Sequence, residues 1–178
     1  MTRNIFAVLS ILFIAGFGTT RLYAQGTPQG QPAGAAPPPA QTMDLATAKR
    51  MVFAAETAAT AMNAHVAICV LDSNGDVVFY ERMDTAPSRA VTSAQGKARA
   101  ALLFGLPTTQ VADAMRGAKP ISAVLTPPVA GNWEITIQQG GLPIIKDGKV
   151  IGAIGAGGSA PANDEKFAQA GIEAAMGK

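Results

Sequence analysis

The chain is poor in the residues on which metal and nucleophile chemistry usually rest. Its 178 residues include one cysteine, one histidine and one tryptophan. A single cysteine forms no intramolecular disulfide, so the fold must rest on its own core. One imidazole and one thiol leave too few nitrogen and sulfur donors for a zinc site built from protein alone. No Gly-x-Gly-x-x-Gly opens a helix after a strand, and neither a Walker A loop nor a Gly-x-Ser-x-Gly elbow occurs. Nucleotide-dependent and serine-hydrolase chemistry therefore have no support.

A surplus of charge is lacking too. The balance is +2, from 14 basic and 12 acidic residues. Two of the bases, Arg3 and Arg21, lie in Met1–Ala24, which holds no acid; without that segment the balance is 12 against 12, or zero. A neutral domain has no electrostatic footprint for nucleic acid, and no such partner is expected. The apolar stretch Ile5–Phe17 falls short of the roughly 20 residues that a spanning helix needs. It follows Arg3 and precedes Leu22-Tyr23-Ala24, the layout of a secretory signal with its cleavage site. Residues 1–24 are thus expected to be a signal peptide and the mature protein to be periplasmic or secreted. Residues 25–42 are uncharged and rich in Pro, Gly, Gln and Ala. Such a segment buries too little apolar surface to fold and reads as a linker. Residues 43–178 have the size of one domain.

Within that domain, Leu45–Ala64 carries a helical apolar stripe with Asp44 as candidate N-cap. Val66–Leu71 and Val77–Met83 read as strands joined by an Asn-Gly turn. Ser88–Phe104 reads as a helix stopped by Gly105 and Pro107, and Thr108 or Thr109 can cap a short helix to Arg116. Ile121–Asn132 is interrupted by Pro and Gly and reads as a loop. Strands are expected at Glu134–Gln138, Gly141–Ile145 and Val150–Ala156, and a last helix from Asp164 to about Met176. Hairpins dominate and no parallel crossover is forced. The expectation is an α+β fold, a five-stranded antiparallel sheet with flanking helices.

The most informative stretch is Gly140–Asp164, GGLPIIKDGKVIGAIGAGGSAPAND. Asp147-Gly148 supplies a tight hairpin turn. The strand after it alternates apolar residues with glycine and alanine, and glycine inside a strand marks close approach of a backbone or a ligand. Its small residues, like those of the Ala-rich helices, also suit coverage by neighbouring subunits.

These residues resemble the C-terminal pattern of the GlcG/HbpS family, the haem-degrading domain also found at the C-terminus of PduO-type cobalamin adenosyltransferases. The upstream block is similar as well: Val70-Leu71-Asp72, Gly75 and Arg82-Met83-Asp84, followed by Ala94–Thr108, AQGKARAALLFGLPT. The resemblance runs from about Leu45 to Ala175. It implies a profilin-like α/β sandwich, a homo-oligomer, and haem or a related tetrapyrrole as ligand, with haem degradation or service to a membrane sensor as roles. A small organic acid is the alternative ligand that it suggests, and no dedicated acid–base set for turnover stands out. Relatives often carry a hydroxyl residue near Ala100, which this chain lacks.

His65, the only imidazole, could ligate iron, but a histidine at a strand edge is more often structural, and haem is expected to bind mainly by apolar contact with weak or non-histidine axial ligation. Cys69 sits between apolar neighbours as a small hydrophobe. Arg82 and Asp84 share a strand face. They either pair with each other or form a carboxylate-binding arginine with an orienting aspartate. Lys97 lies among small residues, either solvated or laid against the sheet as a second cation for propionates. Gly155 and Gly158 are the glycines expected to admit the ligand, at an apolar groove near the glycine-rich strand and the second helix.

Overall fold

A computed structural model describes residues 43–124 and 133–177. The expected signal and linker, residues 1–42, and most of the expected loop, residues 125–132, lie outside them. Helix α1, Leu45–Ala61, opens where expected: the Asp44 carboxylate accepts from Thr47 N at 2.8 Å, satisfying one of the orphan amides of the first turn. Strands β1, Ala67–Asp72, and β2, Val77–Arg82, follow. In the turn between them Asp72 Oδ1 accepts from Asn74 N and Asp76 N, an Asx-turn, and Gly75 takes φ 89°. Helix α2, Ala90–Phe104, stops at Gly105 in the left-handed region. Helix α3 is Thr108–Arg116. Strands β3, Gly141–Lys146, and β4, Lys149–Gly157, form the expected hairpin. Asp147 and Gly148 both have positive φ there, at 51° and 74°.

Among the described residues the sheet has four strands in the order β2-β1-β4-β3, with every neighbouring pair antiparallel. The expected fifth strand, Glu134–Gln138, is not one. Its alternation and β-branched residues suit a strand, but the segment lies across α2 rather than beside a strand. Thr136 N donates to Gly96 O of α2 at 3.0 Å. A Cβ on Gly96 would meet Thr136 Oγ1 at 2.5 Å, so glycine makes room for this crossing. Helix α4, Pro161–Met176, begins three residues before Asp164. Proline at its first position loses only an amide that had no helical partner.

The sheet separates two apolar clusters. On one face Val66, Ile68, Val70 and Ile154 pack with Met51, Val52 and Ala55 of α1 and Phe167 of α4. On the other, Ala67, Cys69, Leu71 and Ala153 pack under Ala90, Ala94, Ala98 and Ala101 of α2. Strand alternation explains the division. The second cluster is made almost wholly of small residues, so α2 lies very close to the sheet. A Cβ on Gly155 would overlap Ala94 O and come within 2.6 Å of Ala98 N; one on Gly157 would reach Ala94 N at 2.8 Å. The glycines of β4 therefore admit a helix. They are in direct contact with α2, so the apolar groove expected near this strand and helix does not open at Gly155, and β4 is covered within its own protomer from Ile151 to Gly157, not by a neighbouring subunit.

Candidate functional site

Four of the six residues singled out from the sequence meet at one end of the sheet, where β1 begins and β2 and β4 end. His65 lies just before β1 and is exposed. Its Nδ1 is 3.0 Å from Asp84 O. A carbonyl can only accept, so Nδ1 carries the proton and the Nε2 lone pair is left for a ligand. Asp84 thus acts through its backbone, and its carboxylate forms no ion pair with Arg82. Arg82 is exposed and donates from Nη2 to Ala86 O at 2.5 Å. Gly158, at φ 124°, brings the end of β4 against this corner: a Cβ there would stand 2.9 Å from His65 O and 3.2 Å from Ala90 Cβ.

Gly158 also lines a cleft of about 800 Å³. One wall is the start of α2, with Arg89, Thr92 and Ser93; another is the crossing segment, with Thr136 and Gln138; Ser159 adjoins Gly158. Arg89 is the N-cap of α2 in the left-handed region, φ 72°, and gives the helix no side-chain cap. A guanidinium, several hydroxyls and the positive end of a helix give the cleft the character of a carboxylate site. The sequence reading missed Arg89, whose only local signal is its place beside a helix start.

The other two residues lie in the interior. Gly155 is under α2, as described. Lys97 is 1% exposed, and its Nζ contacts Asp164 Oδ2 at 2.6 Å and Ala156 O at 3.0 Å. Its stem does lie against the sheet, but its charge meets an internal carboxylate. Asp164 is also 1% exposed, and its Oδ1 accepts from Ser159 N at 3.0 Å. Burial pushes the Asp164 carboxyl above its ordinary value, while the Lys97 hydrogen bond and charge and the Ser159 amide pull it back. Reading Asp164 as a helix start hid this role, since the partner is 67 residues away.

Thr108 is likewise buried. It does not cap α3, whose N-cap position is Pro107; its hydroxyl accepts from Gly141 N at 3.0 Å and lies 3.3 Å from Gly141 O. Among the described residues no three His, Cys, Asp or Glu side chains gather to hold a metal ion, and no helix is long and apolar enough to cross a membrane.

Comparison with known proteins bears on the fold and the family. A 15.0 kDa protein encoded between dhaT and dhaS in Citrobacter freundii is 34% identical over 133 residues, 74% of this chain and 91% of its own. The structure of HbpS from Streptomyces reticuli, solved as a double mutant, superposes with a TM-score of 0.67 at 27% identity, covering 82% of this chain and 97% of that one. PduOC, solved as a complex with haem, superposes at 0.64 with 21% identity, covering 75% and 94%, and shares the fold. The family described as haem degrading protein HbpS-like matches residues 43–173, and the chain belongs to that family.

Proposed function

We propose that this protein is an exported haem-binding protein whose site is the sheet end around His65. The observation that carries the reading is the hydrogen bond from His65 Nδ1 to the Asp84 carbonyl. A backbone acceptor on Nδ1 fixes the tautomer and orientation of the ring, as it does for histidines that ligate metals. Arg82 and Arg89 are the cations suited to propionates, since a guanidinium grips a carboxylate with two parallel donors. The residues therefore fit the charged edge and the iron of a haem. The cleft lining fits the macrocycle less well, because it is largely polar. An apolar wall brought by a second subunit would complete the site, which is our reason for coupling haem binding to a homo-oligomer. Haem degradation and service to a membrane sensor are roles the family affiliation suggests and that no residue described above carries by itself.

Haemin titration of the mature protein tests the reading. A Soret band that saturates at a defined stoichiometry, and that shifts and weakens in His65→Ala, is the expected result. Saturable binding unchanged in His65→Ala would move the iron ligand elsewhere. Absence of haemin binding, with binding of a small carboxylate, would favour the second reading, an organic-acid site in the cleft. That reading has its own support in the hydroxyls and Arg89 that line it.

A further inference from the structure

The buried pair Lys97–Asp164 touches each wall of the cleft without lining it. Lys97 belongs to α2, whose first turns form one wall. Its ammonium holds Ala156 O, just before Gly157 and Gly158, and Asp164 holds Ser159 N on the far side of those glycines. The turn carrying Gly158 and Ser159 is thus clamped at both ends by one ion pair. The crossing segment is tied to the same point. It leads through Gln138 into Gly140, whose carbonyl accepts from Ala156 N at 2.9 Å. At Gly140, φ 125°, a Cβ would meet Asp164 Cβ at 2.8 Å and Lys97 Nζ at 2.9 Å.

A fold of this size does not need such a pair for stability alone. Two charges taken out of water pay a desolvation penalty that their attraction only partly returns, and well-packed apolar residues often serve as well. What apolar residues cannot do is accept from Ser159 N and donate to Ala156 O. We infer that Lys97 and Asp164 are positioning residues, which set the backbone of the Gly157–Ala160 turn and so the shape of the ligand cleft. The inference rests on the ligand reading above, because its readout is haemin affinity.

The experiment uses the double variant Lys97→Met/Asp164→Leu, which removes both charges and keeps a packed interior. It should remain folded at 25 °C with an unchanged far-UV spectrum, its melting temperature falling by several degrees because Ala156 O and Ser159 N lose these partners. Its haemin dissociation constant should rise tenfold or more. Asp164→Asn is the second variant, which keeps an acceptor for Ser159 N but breaks the ion pair, and it should weaken haemin binding by a smaller factor. Wild-type haemin affinity in either folded variant would overturn the inference and leave the pair purely structural. If wild-type protein itself binds no haemin, the ligand reading fails first. The same variants are then compared by hydrogen exchange at Ser159, where unchanged protection in the double variant would overturn the clamp.

Discussion

His65 and Asp84 are joined by a hydrogen bond that uses the aspartate's carbonyl and not its carboxylate. The side chain of Asp84 is exposed and is dispensable for holding the imidazole. Asp84→Ala should therefore keep the haemin spectrum and an affinity within about twofold of wild type, whereas His65→Ala should not. A loss of the Soret band in Asp84→Ala would show that the carboxylate itself contacts the ligand.

Gly155 lies where α2 and β4 are in backbone contact. Gly155→Ala has to push the helix away from the sheet, because neither Ala94 O nor Ala98 N is a flexible group. Overpacking of this kind costs on the order of 3 kcal/mol. Urea denaturation should show the midpoint falling with little change in slope. Wild-type stability in this variant would mean that the helix does not sit this close.

How much of this could be read from the sequence follows from the range of each interaction. The Asp44 cap, the Asp147-Gly148 turn and the stop at Gly105 depend on a few adjacent residues, and all three appear where local chemistry puts them. Glu134–Gln138 has the pattern of a strand, but a strand also needs a neighbour, and here the nearest backbone partner is a helix. The glycines of β4 announced a close approach correctly without saying to what. Lys97 could be laid against the sheet, but the partner of its charge could not be read, since nothing in the local pattern of Lys97 or Asp164 names the other. His65 was visible as the lone imidazole, while its orientation depends on a carbonyl 19 residues away.

Glu81 of β2 faces Glu56 of α1. Burial first, and then the Glu56 charge and hydrogen bond, raise its carboxyl above the ordinary value of 4.5. A carboxyl whose folded pKa is raised binds its proton more tightly in the native state, so stability present below pH 4.5 is lost as pH rises through the raised value. Glu81→Gln should thus be stabilising at pH 8, by a few tenths of a kcal/mol for a partly exposed pair, and close to neutral at pH 4. Denaturation curves at both pH values check this; an equal effect at the two would point to packing instead.

The proposed export has a direct consequence. If Met1–Ala24 is removed as a signal, protein recovered from fractionated cells should begin at or near Gln25 and appear outside the cytoplasm. N-terminal sequencing of each fraction decides it, and an intact Met1 in the cytoplasmic fraction would be the contrary result.

Alkaline pH tests the small-residue face beneath α2. Burial pushes the Cys69 thiol from 9.0 up to about 12, with Arg99 acting weakly against it. Burial and the neighbouring Cys69 raise Tyr80 from 10.0 to about 12, while Arg82 lowers it. Both groups are neutral in the fold and ionise sooner in the unfolded chain. Their stabilising contribution is full below the unfolded values and is lost as pH climbs from 9 or 10 toward 12. By pH 10.5 an unfolded thiol of pKa 9.0 is about 97% ionised, and linkage removes about 2 kcal/mol through Cys69 alone. Cys69→Ala does not titrate and escapes that loss. Its deficit against wild type should therefore shrink by about 2 kcal/mol between pH 8 and pH 10.5, measured by urea denaturation under reducing conditions. The same thiol should resist alkylation at pH 8 in native protein and react at once when the chain is unfolded. A deficit that stays constant with pH, or rapid alkylation of the native protein, would mean that α2 does not seal this face of the sheet.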